Sequence, residues 1–90
     1  MFSLLTTKQF EKDYKICVKR GLKVTLINST FELLEKTGTL PAKYKSHKLR
    51  GNYINHWECH IQPDWLLIWL CDNDKKEIFL IRTGTHSDLF

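Results

Sequence analysis

Tyr53-Ile54-Asn55-His56-Trp57-Glu58-Cys59-His60-Ile61, Trp65-Leu66-Leu67-Ile68-Trp69-Leu70-Cys71 and Glu77-Ile78-Phe79-Leu80-Ile81-Arg82-Thr83 follow one another in the last part of a 90-residue chain. All three are rich in aromatic and aliphatic residues, so each reads as a strand. The connections between them, Gln62-Pro63-Asp64 and Asp72 to Lys76, are short and polar. Connections of that length favour antiparallel neighbours in a meander. The middle run is apolar without a break, as suits a buried strand. In the first run the side chains alternate: His56, Glu58 and His60 point one way, and Tyr53, Trp57, Cys59 and Ile61 the other. The apolar set is expected against the rest of the fold, leaving an open, polar sheet face with two histidines and a carboxylate.

Upstream, Phe2 to Leu5 is a short apolar run of strand type. Thr6 followed by Gln9 reads as a capping box that starts a helix. Phe10, Tyr14, Cys17, Val18 and Gly21 recur at helical spacing, and Gly21 ends the helix. Leu22, Leu26, Ile27, Thr30, Phe31, Leu33 and Leu34 form a second stripe, with Gly38 just past its end. Thr39 to Ala42 then lead into a loop and a short strand near Leu49. The order predicts an α+β fold: an N-terminal strand, a two-helix hairpin, then an antiparallel three- to four-stranded sheet with the helices on one face. Ninety residues suffice for one domain, residues 1–90, and not for two.

The formal charge is +4 and the pI about 9.1, which admits a nucleic-acid partner without requiring one. The distribution says more. Lys43, Lys45, Lys48 and Arg50, with His47 among them, form a segment without an acid, whereas Lys12, Lys15, Lys19 and Arg20 are interspersed with Glu11 and Asp13, as on an ordinary solvated helix face. Cys17, Cys59 and Cys71 fit neither a complete disulfide framework nor a zinc signature, and reduced, mostly buried thiols are expected. Met1 to Leu5 is too short for a signal peptide or membrane anchor, so a cytoplasmic protein is expected.

RNA can be cut without a metal if its own 2′-hydroxyl attacks the adjacent phosphate. The reaction needs a base for the hydroxyl proton, an acid for the departing 5′-oxygen, and cations for the crowded phosphorane. Histidine suits both proton roles near neutrality, and the chain has four: His47, His56, His60 and His86. Arg82 and His86 close the last strand, while His60 and Asp64 flank the preceding turn. Each histidine has an ordinary alternative as a surface residue. His56, Glu58 and His60 on one face would also admit a metal, although no compact Cys or His spacing supports zinc. Trp57, Trp65 and Trp69 are expected in the core; Trp65, next to a turn, is the one that could stack on a base.

Three segments carry a resemblance: Tyr44-Lys45-Ser46-His47-Lys48-Leu49-Arg50-Gly51, then Glu58-Cys59-His60-Ile61-Gln62-Pro63-Asp64-Trp65-Leu66-Leu67-Ile68, and Arg82-Thr83-Gly84-Thr85-His86-Ser87-Asp88-Leu89-Phe90. Together they resemble the YafQ toxins, a branch of the RelE superfamily of bacterial toxin-antitoxin modules. The resemblance implies a RelE-like fold and a ribosome-dependent endoribonuclease that cuts mRNA until a DinJ-like antitoxin masks it, with no cofactor. It implies His86 as general acid, Arg82 as phosphate clamp, and His60 with Asp64 sharing orientation and general-base work. His47 would contact the RNA backbone and Phe90 would pack on a base or position His86. Lys43, Lys45, Lys48, Arg50, His56 and Trp65 complete the expected RNA surface. The chain departs from the family at Trp57, where many relatives carry an arginine; His56 or Arg50 is expected to compensate. A non-catalytic or weakened RNA- or ribosome-binding module of the same fold is the alternative. Operator DNA is expected to be bound only through the antitoxin.

Overall fold

The computed structural model describes all 90 residues. Its elements are β1 (Ser3–Thr6), α1 (Lys8–Lys19), α2 (Val24–Thr37), β2 (His47–Lys48), β3 (Trp57–Gln62), β4 (Trp65–Asp72), β5 (Glu77–Gly84) and α3 (His86–Leu89), with single 3-10 turns at Ala42–Tyr44 and Gly51–Tyr53. The expected α+β order is present. The helix cap lies one residue later than the Thr6–Gln9 reading: Thr7 Oγ1 accepts from Phe10 N–H at 3.0 Å, and Thr6 instead donates to Glu11 Oε2 at 2.8 Å. The capping box occurs at α3, between Thr85 and Asp88.

The five strands lie in the order β1-β5-β4-β3-β2. β2 to β5 form the expected antiparallel meander, but β1 runs parallel to β5, with Leu4 opposite Ile78 and Leu5 opposite Phe79. The sheet is therefore mixed. Both edges of β4 are taken by its hairpin partners, so the first strand docks on the remaining edge of β5. β3 also begins later than Tyr53, at Trp57, because the chain before it is folded into a 3-10 turn and Asn55 takes a positive φ.

The main core lies between the sheet and the helix hairpin, where Phe10, Cys17, Ile27 and Leu34 meet Cys59, Leu67, Trp69, Ile78 and Leu80. Trp65 belongs to this core at 2% exposure, which corrects the expectation of a base-stacking role. Its indole N–H donates to Thr83 Oγ1 at 2.9 Å, and that hydroxyl donates to Leu66 O at 2.7 Å. Trp65→Phe should remove the bond that the Thr83 hydroxyl accepts, while its own bond to Leu66 O remains, and put a smaller ring in the core, costing about 1–3 kcal/mol in equilibrium urea unfolding.

Gly38 ends α2 with φ +74°, and an added Cβ would come 2.5 Å from Phe2 Cε1. Gly38→Ala should combine left-handed strain with displacement of a buried ring, about 2 kcal/mol in the same assay.

The opposite sheet face is not the open polar surface that the alternation implied. Leu66 and Ile68 of β4 are buried there under Leu89 of α3, with Leu49, Tyr53 and Ile81 packed around them. The unbroken apolar run of β4 is the sign of a strand covered on both faces. This second cluster seats the C-terminal tail, and with it His86. No helix is long and apolar enough to cross a membrane.

Candidate active site

Sheet register brings the site together. Glu58 on β3 lies opposite both His47 on β2 and Ile68 on β4, and Ile68 lies opposite Arg82 on β5. One step along, Leu66 lies opposite His60 and Gly84. After Gly84 the chain turns into α3, so His86 returns beside His60. The imidazole centroids of His47 and His60 are 6.4 Å apart, and those of His60 and His86 are 5.8 Å apart. Three of the four histidines thus form a row.

Each ring in the row has a polar partner. His86 Nδ1 lies 2.6 Å from Asp64 Oδ1, which also accepts the His86 backbone N–H at 2.9 Å. Asp64, expected to share orientation and general-base work with His60, thus makes both of these hydrogen bonds to His86. His60 Nδ1 lies 3.4 Å from the carbonyl of Pro63, which can only accept, so the tautomer with the proton on Nδ1 and Nε2 as acceptor is the one that makes this bond. His47 Nδ1 faces the carbonyl of Lys45 at 2.9 Å and its Nε2 faces Glu58 Oε1 at 3.1 Å. Glu58 was read as solvent-facing, yet it is 5% exposed and its Oε2 has no partner. The second apolar cluster and the β2 edge cover it.

The hydrogen bonds from His86 hold the Asp64 carboxyl below its usual 3.8. A carboxylate lowered in this way stabilises the docked tail above the usual value, and that contribution fades only as pH falls through the lowered one. Tail order should therefore be unaffected across neutral pH.

Arg82 is not joined to the imidazole row. Its Nε donates to Asp13 Oδ2 at 2.6 Å and its Nη2 to Asp13 Oδ1 at 3.3 Å. Asp13 and then Tyr53 hold its guanidinium above the usual range. Asp13, read from the sequence as one of the acids on a solvated helix face, is 6% exposed. It sits where β1 has ended, and caps the open edge of β5 by accepting from Thr83 N–H at 3.2 Å. Helical phase carried the signal, since Asp13 lies on the Phe10–Cys17 side of α1.

His56 also departs from expectation. It lies before β3, with Nδ1 3.1 Å from the Ile54 carbonyl and its ring against Tyr53, away from the row. Phe90 is 64% exposed and packs edge-on to Tyr53 at 5.9 Å. Lys43, Lys45, Lys48 and Arg50 are all exposed. Trp57 stacks on Trp69 at 6.3 Å, and Lys48 Nζ lies 5.5 Å from the Trp57 ring. The thiols are free; burial pushes Cys59 up to about 12, which keeps it unreactive.

The chain is similar to several known proteins. The mRNA interferase toxin YafQ of Escherichia coli K12 is 37% identical over 83 residues, covering 91% of this chain and 88% of its own. A metal-bound toxin from Helicobacter pylori is 39% identical and superposes with a TM-score of 0.90 over the full length of both chains. The toxin of the E. coli DinJ-YafQ complex is 34% identical, with a TM-score of 0.88 over 99% of this chain and 97% of its own. Residues 2–90 match the family described as the bacterial toxin of type II toxin-antitoxin systems, YafQ. With that match across almost its whole length, the chain belongs to the YafQ family of type II toxins.

Proposed function

We propose that this toxin is an endoribonuclease that cuts mRNA on the ribosome by general acid-base catalysis without a metal. The observation that carries the reading is the row His47, His60, His86, with Asp64 on the far side of His86. In the imidazolium form of His86, Asp64 accepts the Nδ1–H bond and orients the ring, and Nε2–H carries the transferable proton. His60, with its Nδ1 proton directed to Pro63, offers Nε2 as base. The 2′-oxygen bonds to phosphorus as His60 takes its proton. The bond to the 5′-oxygen then breaks as His86 protonates the leaving group. The products are a 2′,3′-cyclic phosphate and a 5′-hydroxyl.

Lys43, Lys45, His47, Lys48 and Arg50 would hold the RNA backbone, and Arg82 would stabilise the phosphorane through the N–H edge that Asp13 leaves uncovered. Phe90, exposed at the end of the tail, would pack against a base. A DinJ-like antitoxin would mask the site in the cytoplasm, and operator DNA would be met only through that partner. Commitment of Arg82 to Asp13 favours one second reading, a weakened toxin that binds its target and cuts slowly.

Brief expression followed by mapping of new mRNA 5′ ends tests the proposal. Discrete 5′-hydroxyl ends are expected in the wild type and none in His86→Ala. Purified toxin with ribosomes and message should cleave equally in excess chelator; a rate restored only by added divalent metal would remove the metal-free mechanism.

A further inference from the structure

α3 has only four residues, and an isolated helix of that length has no stability of its own. The position of His86 therefore depends on what anchors the tail. Leu89 is buried in the second apolar cluster and Asp64 holds His86 itself. The third anchor is Asp88. It accepts Thr85 N–H at 2.9 Å through Oδ2, closing the capping box, and binds Arg20 through both oxygens at 2.5 and 3.1 Å.

Three features set this pair apart from an incidental surface contact. It is bidentate, which fixes direction as well as distance. The same carboxylate fills the space above Gly84, where an added Cβ would come 2.8 Å from Oδ2, so the turn leading to His86 is shaped around it. Arg20 also caps the C-terminus of α1, seven residues after Asp13, so both ion pairs leave one edge of that helix. One grips Arg82 on β5 and the other grips the tail.

We propose that Arg20 and Asp88 are positioning residues for His86: the ion pair holds the tail in the register at which the imidazole meets Asp64 and His60. The proposal rests on the cleavage reading above only for its consequence in rate. Neither residue touches RNA in this role. Removing the pair lets the tail sample undocked positions, so the catalytic step slows while substrate binding persists.

The test compares full-length Arg20→Gln, Arg20→Glu and Arg20→Lys proteins with the wild type. At saturating message on ribosomes, kcat should fall roughly fivefold in Arg20→Gln and at least about tenfold in Arg20→Glu, with KM within about twofold. Arg20→Lys should recover most of the rate. By NMR, amide exchange at His86 N–H should accelerate in Arg20→Glu, and its ring nitrogens should lose the single-tautomer signature. Unchanged kcat with unchanged protection at His86 overturns the proposal, as does a rise in KM at constant kcat, which would make Arg20 an RNA contact. If His86→Ala cleaves as well as the wild type, the cleavage reading has failed instead. The NMR comparison still decides whether the pair positions the tail.

Discussion

Replacing His86 with alanine is expected to lower the rate of mRNA cleavage by about 10²- to 10⁴-fold, the usual contribution of a general acid. The fold should survive, because the His86 side chain is 55% exposed and buries nothing that the core needs. Thermal unfolding of the variant should therefore fall within a few degrees of wild type. Asp64→Asn should show the same separation in milder form: the amide can still accept the His86 backbone N–H, but it no longer offers a carboxylate to Nδ1. A single-turnover assay on programmed ribosomes, run beside a melting curve, reads both quantities. Full activity in His86→Ala would falsify the acid-base assignment. Loss of activity with loss of fold would show only that the tail is structural, and Asp64→Asn then separates the two roles.

The largest effect on stability is expected at Asp13. Its carboxylate is buried and receives four donors: Gln9 Nε2, Arg82 Nε, Arg82 Nη2 and Thr83 N–H. Asp13→Ala removes all four acceptor contacts at once. It leaves a half-buried guanidinium and an edge amide of β5 without partners. Truncating one side of a charge pair in such a place costs about 3 kcal/mol, because the stranded charge is the larger part of the penalty. For a domain of this size the melting temperature should drop by roughly 10–20 °C. Asp13→Asn should lose less, since its amide oxygen can still serve the Thr83 N–H. A loss below about 1 kcal/mol in Asp13→Ala would show that water replaces the carboxylate, and that the pair does not tie α1 to β5.

Much of the site was legible because it depends on local geometry. His60 and Asp64 flank one hairpin turn, and Arg82 and His86 flank the end of the next strand. Once three runs read as a meander, register brings His60 and the end of β5 to the same end of the sheet, and the turn into α3 then carries His86 beside His60. The partner of each side chain was less accessible. His60 and Asp64 share an expected role in orientation and general-base work, and only the turn into α3, which carries the tail back over Asp64, makes His86 its partner. Trp65, next to a turn, could be read as a stacking surface; a polar partner for its N–H inside the core, Thr83, makes full burial favourable.

Periodicity by itself determined the two helix faces, the Gly38 cap, the three central strands and the basic segment beside them. These follow from the spacing of apolar residues and from the φ that glycine permits, which are properties of neighbours in the chain. Tertiary structure alone decided that β1 joins β5 in parallel, that α3 covers the second sheet face, and that Glu58 is buried. It also set the two pairs Arg82–Asp13 and Arg20–Asp88, whose members lie 69 and 68 residues apart. An alternating pattern says which side chains share a face, but not what covers that face or which edge receives the next strand. Those outcomes depend on how all the apolar surfaces of the chain are buried together.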